Sequence, residues 1–497
     1  MEKTPNIYLS KSLFIRGLQC HKSLYLHKYH PELRDEISEE QEALFQTGFE
    51  VGKYARRLFP GGVEIPYDET SYDSQIQKTQ DEIRNGTKTI YEAAFSYDNI
   101  FVKVDVLHKD HEGWKIFEVK SSTEIVPIYL DDAAVQYYVL NGAGLPVSKV
   151  FLAHINNQYV RDGEIDPRGL FTVNDITDSV KQKQPFIAEN IARQKEMLEN
   201  DMPDIDIGEH CEKPHGCDFQ GHCWQHIPRD SVFDLRRKGI NKFDLYRQGI
   251  IEMKDIPLDR LNRYQRLQVE AFLNKADKID KDAIKTFLDS LIYPLCFLDF
   301  ETFCTAIPLF DGIRPYRQVP FQYSLHIQDS EGAELKHFEY LAEPRKDPRR
   351  ELLTKLIDTI PEQSSIIAYT DFETDRLREL SAWFPEYIDR IERLIRNIRD
   401  ISLPFDKMDY YHWKMNGSYS IKAVLPVLVP EMGYDNLAIH DGGIAMNAYF
   451  AINQSNDQKE IEGIRSDLLE YCKLDTLAMV KILEKLREMV QKANDGN

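Results

Sequence analysis

The spacing of apolar residues changes repeatedly along this chain, and each change marks a new element. Residues 11–30 set Leu13, Leu18, Leu24 and Leu26 among basic and aromatic residues, a pattern that predicts helix. Residues 40–58 continue as helix up to the break at Pro60-Gly61-Gly62. From 88 to 120 the period falls to two, with Ile100, Val102, Val104 and Val106 alternating with Phe101, Lys103, Asp105 and Leu107, as in a strand. His108 to Gly113 reads as a turn and Trp114 to Lys120 as the returning strand. A helix is expected over 131–141, a strand over 149–154 and a long polar helix over 176–200. Residues 229–290 break into short helices punctuated by Gly239, Gly249 and Pro257. A second strand-rich stretch opens with the apolar run Leu295–Phe300, then strands at 318–328 and 336–341, a helix at 348–359 and a strand at 366–369. The rest is mostly helical.

The alternation predicts an α/β protein in three parts: 1–225, a helical connector at 226–290, and a second α/β part at 291–497. A length of 497 residues suits two to four domains at roughly 150 residues each. With 42% hydrophobic and 29% charged residues, the chain has the composition of a soluble globular protein. No run approaches a membrane span, and Met1 to Asn6 carries no apolar leader core, so a cytoplasmic protein without membrane contact is expected. The net charge of −20 argues against a general coating of DNA or of a membrane surface. It leaves open an enzyme that collects carboxylates around Mg²⁺, because the bound ion reverses the local sign.

Two constellations carry chemistry. In the first, Asp105 lies on one strand and Glu118-Val119-Lys120 on the next. Residues i and i+2 of a strand share a face, so Glu118 and Lys120 project together, and a hairpin brings Asp105 beside them. The carboxylates suit Mg²⁺ or Mn²⁺, and the ammonium suits the charge that develops on an attacked phosphate. Gln136 follows on a helix in Ala133-Ala134-Val135-Gln136-Tyr137-Tyr138. A Glu-x-Lys pair alone is equally at home on a solvated strand face.

Cys211, Cys217 and Cys223 recur as C-x5-C-x5-C, and Cys20 is the other cysteine of the N-terminal half. Four thiolates suit an iron–sulfur cluster or zinc, and His210, His215 and His222 keep zinc open. Cys296, Cys304 and Cys472 sit in apolar or helical settings and read as core. The set Cys20, Asp105, Glu118-x-Lys120, Gln136, Cys211, Cys217 and Cys223 resembles the RecB-like PD-(D/E)XK nucleases that carry an iron–sulfur cluster, over roughly residues 8–224. The resemblance implies a restriction-endonuclease-like mixed sheet. It implies that Asp105 and Glu118 bind metal, that Lys120 is catalytic, that Gln136 belongs to the following motif, and that the four cysteines hold a 4Fe-4S cluster clamping the ends of the domain. Two features depart from these relatives: the stretch Gly48 to Gly52 has Glu50 but no metal-binding His, and the cysteine spacing is wider than the common C-x2-C form.

In the second constellation Asp299 and Glu301 share a face at the end of an apolar strand. The strand 366–369 runs into Thr370-Asp371-Phe372-Glu373-Thr374-Asp375, a helix start. Tyr471 and Asp475 are four residues apart on a later helix and so adjacent on one face. Cleavage of a phosphodiester by two divalent ions needs several carboxylates, and a nearby tyrosine hydroxyl can orient water. No Gly-rich phosphate loop is present. In order and type these residues resemble the DEDDy branch of ribonuclease-H-like 3′→5′ exonucleases, with Asp299 and Glu301 in the first motif and Tyr471 with Asp475 in the third. The middle motif departs, placing Glu where Asp is expected. Glu373 is the choice for the fourth acid, with Asp371 and Asp375 as alternatives.

The whole resembles a bacterial family that joins an iron–sulfur RecB-like nuclease to such an exonuclease domain and often carries the stretch matched here by Gly417 to Pro426. Sequence reasoning assigns that stretch nothing beyond a helix start after a tight turn. The expected function is a two-site metal-dependent nuclease, with DNA before RNA as substrate, in repair, recombination or phage defence. The alternatives are an RNA-trimming enzyme and a nucleic-acid-binding module with a decayed C-terminal site. Basic and aromatic residues at 11–34 and Arg390, Arg393, Arg396 and Arg399 could follow a phosphate backbone or form ordinary helix surfaces, the latter pairing with Asp389 and Glu392.

Overall fold

The computed structural model describes residues 8–68, 71–236 and 239–491, so the N-terminal residues read for a leader lie outside the described residues. The chain forms two compact units, Met1–His226 with Thr305–Arg317, and Ile227–Cys304 with Gln318–Asn497. The short helices of the connector are thus grouped with the second unit, and a segment between two of its strands is grouped with the first. Among the described residues no helix is long and apolar enough to cross a membrane.

The first unit is a mixed sheet with helices. Its strands are β1 (Leu9–Ser10), β2 (Val63–Glu64), β3 (Thr89–Tyr97), β4 (Ile100–Asp110), β5 (Gly113–Lys120), β6 (Val147–Ile155) and β7 (Phe171–Asp175). They lie in the order β2-β3-β4-β5-β6-β7, with β1 pairing β4. Strands β3, β4 and β5 are antiparallel neighbours, and β6 joins β5 in parallel. The helices are α1 (Lys11–Gln19), α2 (His21–Tyr29), α3 (Glu39–Arg56), α4 (Tyr72–Arg84), α5 (Pro127–Gly142) and α6 (Gln184–Leu198). Helix α5 packs on β3, β4 and β6 through Ala133, Ala134, Val135 and Val139, all shielded from solvent.

The expected helix over 11–30 is two helices, because the backbone of Cys20 is extended between them. The expected helix over 176–200 is likewise split, into Thr177–Gln182 and α6. Pro185 stands in the first turn of α6, where a residue without an N–H is best placed to begin a helix. Helix α4 and strand β7 were not foreseen. Both are short or strongly polar, so their buried side chains leave little periodic signal.

The second unit begins with α7 (Lys242–Arg247), α8 (Arg263–Asn274), β8 (Lys278–Ile279) and α9 (Lys281–Asp289). Its main sheet contains β9 (Leu295–Phe303), β10 (Val319–Gln328), β11 (Leu335–Leu341), β12 (Ser365–Ala368) and β13 (Ile398–Asp400), in the order β11-β10-β9-β12-β13. Strand β10 is antiparallel to both β11 and β9, whereas β12 runs parallel to β9 and to β13. A short β14 (Tyr410–Tyr411) pairs β8. The remaining helices are α10 (Arg349–Thr359), α11 (Phe372–Trp383), α12 (Ile388–Asn397), α13 (Ile421–Leu428), α14 (Gly442–Gln454) and α15 (Gln458–Gln491).

Every residue of β10 is buried, which explains its unbroken run of mixed side chains: α15 covers it, and three of its polar groups are spent on that helix. Gln322 Nε2 donates to the Leu468 carbonyl at 2.7 Å, and Ser324 Oγ and His326 Nδ1 meet the Thr476 hydroxyl at 2.7 and 2.8 Å. Gln322 and Ser324 are also the cross-strand partners of Glu301 and Asp299. The same two residues of β10 therefore fix both β9 and α15, and set the register between their acids.

Candidate functional site

In the first unit β4 and β5 part at Asp105. Their paired register ends at Val106 opposite Phe117, and the Asp105 carboxylate instead accepts from the Val119 backbone N–H at 2.7 Å. Glu118 is 1% exposed and is met on both oxygens. Lys11 and Lys120 approach Oε1 at 3.0 and 2.8 Å, and Gln136 Nε2 donates to Oε2 at 2.5 Å. Asp132, one turn before Gln136 on α5, pairs with Lys120 and lies 3.4 Å from Lys11. The structure thus brings Asp105, Glu118, Lys120 and Gln136 together and adds Lys11 and Asp132. Sequence reasoning missed both, although an Asp and a Gln four apart on an otherwise apolar helix are a legible sign of a buried polar pair. Glu50 is exposed on α3.

Burial and the Glu118 charge push the Asp105 carboxyl up to about 7. Burial opposes the charge of Glu118 too, but Lys11 and Lys120 hold it well below the usual carboxylate range. Two ammoniums therefore balance most of the charge of three carboxylates.

The four cysteines converge. Cys20, Cys211, Cys217 and Cys223 line one small cavity with Ile205, Ile207 and Phe219, and all four are free thiols. Four thiols around one small cavity could hold an iron–sulfur cluster or zinc. Two of the basic residues of 11–34, Arg16 and Arg34, are spent on this region. Arg16 grips both oxygens of Asp218 at 2.5 and 2.9 Å, Arg34 reaches the same carboxylate at 2.5 Å, and Gln19 donates to the carbonyls of His210 and His215. Replacing Asp218 by Ala leaves two guanidiniums without their shared acceptor. It should cost about 2–3 kcal/mol in urea unfolding of the full chain, and an unchanged midpoint would show that the cysteine loop is held by other means.

The second unit holds the denser site. Strand β12 pairs β9 only as far as Phe297, so the chain beyond it, with Asp299 and Glu301, projects past the shorter neighbour. This is the carboxyl end of β9 where the sheet changes from antiparallel to parallel, the usual location of a cleft in α/β folds. Thr370 follows β12 with φ of +75°, a conformation costly for a β-branched residue, and its N–H is held by Asp400 Oδ1 at 2.9 Å. This turn starts α11 with Glu373 facing inward and 2% exposed, while Asp371 and Asp375 are exposed. Of the three alternatives Glu373 is the one that joins the acids. The backbone N–H groups of Glu373 and Phe300 donate to its carboxyl, yet Oε2 is buried without a partner. Asp475 comes from α15, accepts from Tyr434 at 2.6 Å and is hydrogen-bonded by Tyr471.

All four carboxyls are pushed upward, Asp475 to about 6, Glu373 to about 8, and Asp299 and Glu301 well above the carboxylate range. Burial is the first cause in each case. Mutual repulsion adds to it at Asp299 and Glu301, which also feel Asp475 and Glu373. Burial and the surrounding acids raise the Tyr471 phenol as well, so it stays a donor. Cys472 is not merely core: its thiol donates to Asp299 Oδ2 at 3.4 Å.

The stretch Gly417 to Pro426 now has a physical role. Ser420 precedes α13, whose Lys422 is a cation that favours the charged forms of Glu301 and Asp475. Gly417 has φ of +73°, and a Cβ there would lie 2.8 Å from Gln268 Nε2 and 3.0 Å from the Asp234 carbonyl. Only glycine fits where this loop abuts the connector. Arg236 of the connector is stacked between the rings of Tyr264 and Tyr419 and pairs with Asp406. Together these walls and the acids enclose a cleft of about 1010 Å³. Tyr434, Lys422 and the connector were missed as site components, since nothing in their local pattern marks them.

The arginine series does not form a free cationic track. Arg390 of α12 pairs with Asp358 of α10 and Arg393 with Glu362 just beyond that helix, rather than with Asp389 and Glu392, and Arg399 lies on β13 and bonds backbone carbonyls.

Residues 296–420 match the model of a family described as a domain of unknown function, DUF2779. The match begins inside β9 and ends at Ser420, so it takes in Asp299, Glu301 and Glu373 and stops short of Lys422, Tyr471 and Asp475. The chain is 24% identical over 216 residues to "Uncharacterized protein MG366" of Mycoplasma genitalium, covering 39% of this chain and 32% of that protein. It is 26% identical over 205 residues to the MG366 homolog of Mycoplasma pneumoniae, covering 37% and 31%. The chain therefore spans about a third of the length of the curated relatives it matches.

Proposed function

We propose that this protein is a metal-dependent nuclease with two active sites, acting on single strands or ends of nucleic acid, DNA before RNA. The observation that carries the reading is the second-unit cleft, where four carboxylates from β9, α11 and α15 are buried against one another with Lys422 as the nearby cation. Carboxylates so placed repel one another unless cations join them. The unpartnered Glu373 Oε2 supplies a further hard oxygen, so the donor set fits Mg²⁺ or Mn²⁺ held by Asp299, Glu301, Glu373 and Asp475. Divalent ions bound there would polarise a phosphate and lower the pKa of water. Tyr471 would orient that water through its hydroxyl, and Lys422 would lie near the phosphate charge. The strand order β11-β10-β9-β12-β13 is the order of ribonuclease-H-like folds, which favours the DEDDy 3′→5′ exonuclease reading.

In the first unit the mixed sheet and the Asp105, Glu118, Lys120 and Gln136 constellation favour a RecB-like PD-(D/E)XK site. There Asp105 and Glu118 would hold Mg²⁺ or Mn²⁺, Lys120 would stabilise charge on the phosphate, and Gln136 would fix the Glu118 carboxylate. Cys20, Cys211, Cys217 and Cys223 would hold a 4Fe-4S cluster, which would tie α1 to the loop at 208–224. The family that fuses these two domain types is the one this reading assigns. The test is degradation of labelled single-stranded DNA and RNA by purified full-length protein with Mg²⁺ or Mn²⁺, together with the visible spectrum. Cleavage and broad brown absorption are expected. Intact oligonucleotides under every metal would remove the catalytic claim, and a colourless, iron-free protein that is fully active would remove the cluster.

A further inference from the structure

The first-unit site contains a charged group that its motif does not need. Lys11 opens α1, held by the Ser10 side chain accepting from the Leu13 N–H, and its ammonium sits 3.0 Å from Glu118 Oε1 and 3.4 Å from Asp132 Oδ1. Lys120 occupies the same two carboxylates from the other side. Gln136 takes the second oxygen of Glu118, and its own Oε1 is fully buried without a partner. Asp105 has given one oxygen to the Val119 N–H. Both oxygens of Glu118 are therefore engaged, and a divalent ion approaching Oε1 meets two ammoniums there.

Lys120 is the poorer candidate to leave. It belongs to the same strand as Glu118, two residues on, and its neighbours Val119 and His154 lie in the paired β5–β6 ladder. The two lysines are alike in stem and in exposure, 21% and 20%, and what separates them is that Lys11 comes from another element, α1. The far end of its helix is held by Gln19 on the carbonyls of His210 and His215 and by Arg16 on Asp218. The helix fixes the Lys11 backbone, so an exchange moves the side chain alone.

We propose that Lys11 is an exchangeable counter-ion: it bridges Glu118 and Asp132 in the metal-free protein, yields its place to a divalent cation, and makes Asp132 a third carboxylate of the metal site. This rests on the reading of the first unit as a metal-dependent site and deepens it. Lys11 is then a positioning residue that sets metal affinity, and its effect is visible without any turnover.

The test is Mn²⁺ titration, followed by the electron paramagnetic resonance signal of the free ion, on full-length protein carrying Asp299→Asn and Glu301→Gln to silence the second site. Into that parent go Lys11→Met, Lys11→Arg and, as the ablated reference, Glu118→Gln. Thermal melting checks that each is folded. Losing a full charge within hydrogen-bonding range of two ligand carboxylates should tighten Mn²⁺ binding at least tenfold in Lys11→Met, while Lys11→Arg keeps the parent affinity. Equal or weaker binding in Lys11→Met overturns the inference. If the parent shows no site that Glu118→Gln removes but Lys11→Met gains one, the counter-ion role stands and the simple reading of this site as a working nuclease falls. If neither binds Mn²⁺, both fall.

Discussion

Asparagine in place of Asp299 should raise the melting temperature of the metal-free protein at pH 8.5 by about 5 °C and leave it nearly unchanged at pH 5. The reason is the charge of the second-unit cluster. Asp475 and Glu373 titrate at about 6 and about 8 in the folded chain, from ordinary values of 3.8 and 4.5. A carboxyl whose folded value is raised binds its proton more tightly folded than unfolded. It contributes stability that is fully present below pH 4 and is lost as the pH rises through the folded values, here from about 6 to about 8. A tenfold difference in proton affinity between the folded and unfolded chain is worth about 1.4 kcal/mol, and about 1 kcal/mol moves the melting point of a unit this size by roughly 2–4 °C. Asp299 is the member that feels Asp475, Glu301 and Glu373 together, so replacing it removes that repulsion at alkaline pH, where the cluster is forced to ionise, and removes nothing where the cluster is protonated. Mn²⁺ should reverse the comparison: at about a hundred times its dissociation constant a bound ion stabilises by about 2.7 kcal/mol. Wild type should gain most of that at pH 8.5, and Asp299→Asn much less. Differential scanning calorimetry at the two pH values, with and without Mn²⁺, decides it. A wild-type melting point that climbs from pH 5 to pH 8.5 without metal would mean that these acids do not carry the strain assigned to them.

The two sites differ in how much of them the sequence displayed, and the difference is physical. Asp299 with Glu301, and Glu118 with Lys120, were legible because a strand of period two fixes the facing of i and i+2 whatever its neighbours do. Tyr471 and Asp475 were legible for the same reason on a helix. Glu373 was the choice but Asp371 and Asp375 stayed open beside it, because the facing is set by the left-handed turn at Thr370, and a threonine announces no such turn. The four cysteines were found by type and number, since few other uses explain them.

What the sequence hid arrives from distant elements through side chains that are common in any fold. Lys11 and Asp132 complete the first site from α1 and α5, and Tyr434 and Lys422 complete the second from a loop and α13. The cross-strand link that sets Asp299 and Glu301 opposite α15 runs through Gln322 and Ser324, polar residues inside a strand that read as ordinary. The errors of element length have local causes: the extended Cys20 and the proline that starts α6 divide helices whose apolar spacing runs on past them. The electrostatic contrast between the sites was invisible as well. The first carries its own counter-ions in Lys11 and Lys120, whereas the second crowds four carboxylates around little positive charge. Divalent cations should therefore fill the second site at lower concentration than the first.

Cleavage should separate cleanly by site. On single strands labelled at the 5′ end, Asp299→Asn should abolish the ladder of products shortened from the 3′ end, by about a thousandfold, which corresponds to roughly 4 kcal/mol of transition-state stabilisation. Cutting that depends on Asp105 should persist. Asp105→Asn should do the converse, and the double variant should leave no cleavage. Tyr471→Phe removes a hydroxyl but no ligand carboxylate, so it should retain metal binding and lose about a hundredfold in turnover. Glu373→Gln keeps the shape of the buried side chain and removes its charge, and it should behave as Asp299→Asn does, because the unpartnered Oε2 is the oxygen the ions would use. Matched DNA and RNA strands in the same assay assign the sugar preference of each site. If Asp299→Asn leaves the 3′ ladder intact while Asp105→Asn removes every product, the chain has one working nuclease site. The buried acids of the second unit would then serve binding rather than cleavage.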